Sequence, residues 1–288
     1  MSELFDEKFF AGLNRLKLMT HIRLDKGMSG SRKSSEKGSS VEFSDFREYL
    51  PGDDIRRIDW NVYGRLDKLY VKQFMEEKEA FYHIFVDTSG SMDFGEQKKS
   101  VMALRLAAVF TWLVLKQLDR VEILTVKEGR LGKTCPIVGR SSFQRLLQDL
   151  EQVSFEGTTG ISKAVHQSTI NGRGVCILLS DFLDPEGVED AIRYLVYKRQ
   201  EILLIQILSK EETDFYGEGT LELEDMETGG KVQVTMTRQT MQMYADAVTS
   251  HKQSVERLAK RYGCSYFSIR SDEELEKVVF QTLKKVWL

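Results

Sequence analysis

The chain has 288 residues, of which 41% are hydrophobic and only 3 are proline, a composition that suits a folded protein and excludes a disordered one. Its 41 basic and 44 acidic residues give a formal charge of -3, so the chain as a whole lacks the basic footprint of a nucleic-acid-binding protein. The three cysteines lie far apart and form no Cys/His cluster with the spacing of a zinc site or a disulfide framework.

The N-terminal part of the sequence predicts a helix and a loop. Residues 4–24 place apolar side chains at helical spacing, and residues 27–40 are rich in Gly, Ser and Lys. Between positions 15 and 37, seven basic residues face only two acidic ones. We interpret this basic stretch as a solvated helix face leading into a loop; binding to an acidic partner, to nucleic acid or to a membrane surface is the alternative.

Nothing in the sequence predicts export or membrane insertion. The first residues, MSELFDEKFF, carry charges where a signal peptide needs an apolar segment. The longest apolar run, residues 101–115, is shorter than the ~20 residues that span a membrane, and it contains Arg105. We therefore expect a cytoplasmic protein without a transmembrane segment, and we interpret the apolar run as part of a buried helix at 97–118.

From residue 81 onward, continuous apolar runs alternate with helical patterns. The runs at 81–87, 121–127, 174–181 and 201–208 predict buried strands, and residues 133–138 predict an edge strand. Strands that are apolar on both faces and alternate with helices are typical of an α/β fold, doubly wound, with a mostly parallel sheet and helices on both faces.

Two further features complete the predicted domain organisation. Two alternating runs around Gly229 and Gly230 predict a β-hairpin insertion at about 219–236. We divide the chain into an N-terminal segment, 1–78, and an α/β domain, 79–288. In the N-terminal segment, Pro51 and Gly52 predict a turn. Ion pairs of Arg56, Arg57 and Arg65 with neighbouring Asp residues are expected to pin the segment on the α/β domain, with Trp60 as the apolar anchor.

Polar side chains follow the predicted strands at the edge of the sheet where α/β proteins bind ligands. Asp87 ends the first strand, with Ser89 and Ser91 just beyond it, and Ser180 and Asp181 end the strand at 174–181. A Gly157-Thr-Thr-Gly loop precedes a short helix. Each group alone is typical of a helix cap or turn, but together they form an oxygen-only set that suits Mg²⁺ and does not suit zinc or copper. Gly90 is expected to let the loop bend tightly.

These motifs resemble the metal-ion-dependent adhesion site of von Willebrand factor A domains. The resemblance assigns five residues to the metal: Asp87, Ser89, Ser91, Thr159 and Asp181. Thr158 is the alternative to Thr159. The resemblance implies that the hydroxyls contact Mg²⁺, or Mn²⁺ or Ca²⁺, directly. It also implies that the carboxylates act largely through water and that an acidic residue of a protein partner completes the shell.

The segment before the first strand resembles the opening of the bacterial DUF58 family (domain of unknown function fifty-eight). The family pattern is an Arg, a Tyr, Pro-Gly-Asp-Asp, an Arg, Ile-Asp-Trp and an Arg, matched here at Arg47, Tyr49, 51–54, Arg56, 58–60 and Arg65. Gly64 stands where alanine is common. The resemblance covers roughly residues 40–210 and implies a partner, a MoxR-type AAA+ ATPase, in the maturation or assembly of other proteins.

Two classes of function are compatible with these motifs. The leading hypothesis is a non-enzymatic, cation-dependent protein-interaction module. The alternative is a metal-dependent hydrolase or phosphotransferase that uses Asp87 and Asp181. Against the alternative, no His or Glu near the motifs in the sequence offers a general base, and the four histidines fall in strand-like or helix-like segments.

Overall fold

The computed structural model describes residues 4–24, 42–75, 81–116, 119–133, 137, 142–184, 186–217, 219–227 and 229–283. The chain forms two compact units, one of Met1–Leu18 with Ala80–Leu288 and one of Met19–Glu79. Helix α1 spans Glu7–Leu24, as predicted. The predicted loop at 27–40 lies outside the described residues, as do the side chains of the basic stretch from residue 16 on, whereas Arg15 donates to Glu276 at 2.7 Å.

The smaller unit is built on an antiparallel pair of strands, β1 (Glu42–Glu48) and β2 (Tyr70–Met75). The connection contains a 3₁₀ turn, Ile55–Arg57, and helix α2, Trp60–Leu66. Asp54 caps the 3₁₀ turn and Asp59 caps α2, each by accepting backbone N–H bonds. Within this unit, Arg47 donates to both carboxylate oxygens of Asp53 at 2.7 and 2.8 Å.

Trp60 is not an apolar anchor within the smaller unit itself. Its side chain is 63% exposed and meets the ring of Tyr63 edge-on. The buried apolar contact of this unit is made instead by Ile58 and Val71, which form an antiparallel bridge. The reason is local: the Asp59 cap starts a helix at residue 60, so the bridge ends just before the tryptophan.

The larger unit contains a six-stranded sheet, and its topology confirms the doubly wound α/β prediction. The strands are β3 (Phe81–Asp87), β4 (Arg120–Lys127), β5 (Arg130–Lys133), β6 (Gly174–Ser180), β7 (Glu201–Leu208) and β10 (Ser265–Arg270). They lie in the order β10-β7-β6-β3-β4-β5, and every pair is parallel except β4 with β5. Strands β3 and β6 are therefore central, which places their carboxyl ends side by side.

Helices cover both faces of this sheet. They are α3 (Lys99–Lys116), α4 (Phe143–Glu151), α5 (Ile161–Gln167), α6 (Glu189–Tyr197), α7 (Lys210–Thr213), α8 (Arg238–Tyr262) and α9 (Leu275–Lys277), which continues into a π turn, Val278–Thr282. Ile84 and Val86 of β3 pack in one core with α3 and α4, and Phe85 packs in a second core with α5, α6 and α8. Alternate residues of one strand thus face two helix layers.

The apolar run that contains Arg105 is a buried helix, as predicted. Helix α3 buries most of its side chains, with Phe110 fully enclosed. In the part of the chain that the structure describes, no helix has both the length and the apolar character needed to cross a membrane.

The edge strand and the hairpin have different outcomes. The described edge strand is β5, Arg130–Lys133, since Glu128 and Gly129 both have positive φ (50° and 68°) and turn the chain directly after β4. Residues 134–136 and 138 of the predicted strand at 133–138 lie outside the described residues. Within 133–138, Ile137 forms only an isolated bridge with Val121. The hairpin is confirmed as two antiparallel strands, β8 (Gly219–Glu224) and β9 (Lys231–Met236).

Candidate functional site

Asp87 is the centre of the candidate site at the carboxyl edge of the sheet. It is the last residue of β3, and its side chain is 1% exposed. Its Oδ2 accepts hydrogen bonds from the hydroxyls of Thr159 at 3.0 Å and Ser180 at 2.6 Å, and its Oδ1 accepts from the Ser89 N–H at 3.1 Å. One carboxylate therefore joins all three sequence motifs.

Burial raises the pKa of Asp87 to about 6, and the negative charge of Asp181 adds to the increase. Hydrogen bonds from Ser180 and Ser89 to the carboxylate act in the opposite direction. The charged form of Asp87 is thus disfavoured where it stands, and a nearby cation would relieve that cost.

The two serines of the first motif lie side by side. The Ser89 and Ser91 hydroxyl oxygens are 3.1 Å apart, and Ser89 precedes a 3₁₀ turn, Gly90–Asp93. The intervening loop is fixed from outside, because the Gly90 N–H donates to the carbonyl of Gly157 at 2.9 Å. The loop therefore holds the Ser91 hydroxyl beside that of Ser89, whose N–H donates to Asp87.

Gly90 does not serve the tight bend that the sequence predicts. Its φ is not positive, so its backbone conformation is open to other residues. A Cβ at this position would lie 2.5 Å from the backbone carbonyl oxygen of Met226 in the hairpin. Glycine is needed because another segment of backbone approaches closely.

The structure distinguishes the two threonines of the glycine-flanked loop. Thr159 is buried and donates to Asp87, whereas Thr158 is exposed and its carbonyl accepts the N–H of Glu128 at 2.8 Å. Gly157 and Gly160 flank the pair with φ of 73° and 139°, in a region that favours glycine. The geometry brings Thr159, and not Thr158, to the site.

Asp181 is joined to a lysine that sequence reasoning missed. Its Oδ2 accepts a hydrogen bond from Lys99 Nζ at 2.7 Å, and its Oδ1 accepts from the Leu183 N–H at 3.1 Å. Lys99 is fully buried and also donates to Glu212 at 2.5 Å. Burial lowers the pKa of Lys99, but attraction to Asp181 and Glu212 outweighs this effect and the pKa is raised.

One sequence signal could have drawn attention to Lys99. It is the first residue of α3, an otherwise apolar helix, and a cation at a helix N-terminus opposes the helix dipole. A lysine placed there needs compensating carboxylates, which Asp181 and Glu212 supply.

A second missed residue, Glu227, comes from the hairpin turn. Burial, and then repulsion from Asp181, raise the pKa of its carboxyl, whereas hydrogen bonding to the Thr159 backbone and the Ser91 side chain opposes the increase. Glu227 is distant from the motifs in the sequence, so the expectation that no nearby His or Glu offers a general base does not consider it. Ser91 and Glu227 are far apart in the sequence, and the hairpin brings them close together in the structure. Local sequence patterns do not predict such a contact.

The donors gathered here fit a hard divalent cation. They are hydroxyl and carboxylate oxygens, the ligands that Mg²⁺, Mn²⁺ and Ca²⁺ prefer. Among the described residues no three His, Cys, Asp or Glu side chains are grouped to hold a metal by themselves, so an ion here would depend on hydroxyl oxygens too. Ser89, Ser91 and Thr159 are the residues whose hydroxyls would hold it. The carboxylates of Asp87 and Asp181 would supply the negative charge.

Known proteins similar to this chain include curated relatives and solved structures. Uncharacterised proteins of Mycobacterium tuberculosis (strain ATCC 25618 / H37Rv) and Mycobacterium bovis (strain ATCC BAA-935 / AF2122/97) are 26% identical over 276 residues, covering 93% of this chain and 87% of each relative. The conserved hypothetical protein BatB from Bacteroides thetaiotaomicron matches with a TM-score of 0.44 at 15% identity, covering 72% of this chain and 98% of that one. The SpRpn10 VWA domain matches with a TM-score of 0.39 at 12% identity, covering 71% and 95%.

The family assignment rests on a different comparison. The model of the family described as "Protein of unknown function DUF58" matches residues 45–254, which is well over half of the chain. This range includes both the segment with the Pro-Gly-Asp-Asp turn and all five residues of the candidate site. The chain belongs to the DUF58 family.

Proposed function

We propose that this chain is a non-enzymatic protein-interaction module whose divalent-cation site accepts an acidic side chain from a partner protein. The observation that carries the proposal is the convergence on Asp87, which receives hydrogen bonds from Ser89, Thr159 and Ser180. Hydroxyls and carboxylates from three loops are thereby assembled into an oxygen-only set with no imidazole or thiolate among its donors. Mg²⁺, or Mn²⁺ or Ca²⁺, bound there would offer an open position to a carboxylate.

The cation site is tested by calorimetry with Mg²⁺ and Mn²⁺. Asp87→Asn and Asp181→Asn keep the side-chain volume but remove a charge, and each is expected to weaken binding at least about tenfold. Asp149→Asn is the matched control, since Asp149 is exposed on α4. Equal affinities for the wild type and the two site variants would refute the proposed site.

The proposed partner is a MoxR-type AAA+ ATPase, with which the chain would act in the cytoplasm on the maturation or assembly of other proteins. This part of the proposal rests on the family resemblance alone. A pull-down with the MoxR-type ATPase encoded beside the gene should succeed in Mg²⁺ and fail in EDTA. Loss of the complex at moderate salt instead, with no effect of EDTA, would point to the basic stretch at 15–37 as the contact.

The alternative function, a metal-dependent hydrolase or phosphotransferase, is favoured by one observation. Asp87 has a pKa raised to about 6, and perturbed carboxyls are frequent at catalytic sites. Against it, both oxygens of Asp87 already accept hydrogen bonds, and His251 Nε2 contacts the Asp181 carbonyl, not a carboxylate. Turnover of p-nitrophenyl phosphate that requires Mg²⁺ and disappears in Asp87→Asn would reverse this ranking.

A further inference from the structure

The tip of the hairpin lies against the candidate cation site. The turn is closed by hydrogen bonds from the Asp225 N–H to the Gly230 carbonyl and from the Gly229 N–H to the Asp225 carbonyl, both 2.8 Å. Asp225 Oδ1 also accepts the N–H of Glu227 at 2.8 Å. These bonds fix the backbone conformation of the turn at Glu227.

Two independent contacts join this tip to the site. The Glu227 carboxylate lies close to the Ser91 side chain and the Thr159 backbone, two of the residues that would hold a cation. The Met226 carbonyl oxygen lies so near Gly90 that a Cβ there would be 2.5 Å from it. The loop between Ser89 and Ser91 is thus shaped to receive the hairpin.

The acidic side chains at the hairpin tip would be stabilised by a cation. The like charges of Glu227 and Asp181 repel each other here. The Lys99 ammonium group donates hydrogen bonds to Asp181 and Glu212. A divalent ion beside Ser91 would turn the repulsion between Glu227 and Asp181 into shared attraction.

We propose that Glu227 is an internal ligand of the cation site, and that an acidic partner binds only after displacing it. The inference rests on the proposed function, since it assigns the open position of the same cation. The hairpin carboxylate competes as an intramolecular ligand, at an effective concentration on the order of millimolar. A partner that offers only a single carboxylate therefore competes poorly with Glu227 for the cation. A partner that makes additional contacts can displace Glu227.

The hairpin is suited to reversible displacement. Most side chains of β8 and β9 are exposed, so little apolar burial holds the strands in place. A two-stranded hairpin is marginal without such support. Its attachment at the tip therefore depends on the contacts of Met226 and Glu227, and losing them costs few other interactions.

The test uses Mn²⁺ as the probe and acetate as the competing carboxylate. Glu227→Gln and Glu227→Ala are compared with wild type and with Glu224→Gln, a control that removes an exposed carboxylate of the same hairpin. Mn²⁺ affinity and the number of bound waters are measured by electron paramagnetic resonance and water-proton relaxation. Acetate is then titrated into each Mn²⁺ complex.

The inference predicts a specific combination of results. Both Glu227 variants should bind Mn²⁺ about tenfold more weakly, gain about one bound water, and bind acetate at roughly tenfold lower concentration than wild type. Glu224→Gln should behave as wild type. Wild-type affinity, hydration and acetate response in the Glu227 variants would overturn the inference and leave the cation site standing. Absence of Mn²⁺ binding to wild type would overturn the proposed function and the inference together.

Discussion

Replacing Lys99 with methionine should destabilise the larger unit strongly. The lysine is 0% exposed, and its ammonium group lies 2.7 Å from an Asp181 oxygen and 2.5 Å from a Glu212 oxygen. Lys99→Met keeps the length of the side chain but leaves two carboxylates without their shared cation. Removing one partner of a buried ion pair costs about 3–5 kcal/mol, because the remaining charge stays buried and uncompensated.

The expected loss converts to a measurable change in melting temperature. At about 2–4 °C per kcal/mol for a unit of this size, the melting temperature should fall by roughly 6–20 °C. The matched control is Lys98→Met, since Lys98 is half exposed and pairs with Asp93 at 2.7 Å; it should cost less than about 1 kcal/mol. Adding Glu212→Gln to Lys99→Met should restore part of the loss, because one unpaired charge is removed.

Urea and thermal unfolding of the four proteins, in EDTA at pH 7, measure these differences. The raised pKa of Lys99 means that its contribution is fully present below the pKa of an unfolded lysine and is lost only as the pH rises through the higher folded value. The gap between wild type and Lys99→Met should therefore stay constant from pH 7 to about 10. A loss below about 1 kcal/mol in Lys99→Met would refute the argument that the lysine compensates two buried charges.

Three further predictions concern the site residues. Because the folded pKa of Asp87 is raised to about 6, stability in EDTA should fall as the pH rises from about 4 to 6, and Asp87→Asn should remove up to about 3 kcal/mol of this dependence in urea titrations. Thr159→Val should weaken Mn²⁺ binding about tenfold in calorimetry, whereas Thr158→Val, at an exposed position, should leave it unchanged. Gly90→Ala should cost about 1–3 kcal/mol and speed hydrogen exchange in the hairpin, because its Cβ would collide with the Met226 carbonyl; unchanged exchange would contradict the close approach.

The sequence was sufficient for the sheet because its central strands are apolar on both faces. The runs predicted at 81–87 and 201–208 have the bounds of β3 and β7, because parallel strands buried on both faces form nearly continuous apolar runs in a sequence. Parallel topology then brings Asp87 and Ser180 to one edge, where they are hydrogen-bonded at 2.6 Å. The position of β5 was missed because a turn of two positive-φ residues, not hydrophobicity, sets where that strand begins.

Lys99 and Glu227 could not be found in the same way. Periodicity assigns a residue to a buried or exposed face of its own element, and both residues were assigned correctly to a helix start and a hairpin turn. What matters for each is a partner on a different element: Asp181 for the lysine, and Ser91 for the glutamate. Such contacts depend on how helices, strands and loops pack against one another in three dimensions. Local sequence patterns do not predict this packing.

Asp181 connects the charged groups of the site to one another. Its carboxylate is paired with the Lys99 ammonium group. Burial raises the pKa of both Asp87 and Glu227, and the negative charge of Asp181 adds to each increase. Lys99 therefore stabilises the one carboxylate whose charge makes the other two costly to ionise. The carboxyl groups of Asp87 and Glu227 therefore bind protons readily when the pH falls. Because a cation binds only to their ionised forms, protons and the cation compete for them. Cation affinity at this site should consequently decrease below about pH 6, where Asp87 becomes protonated.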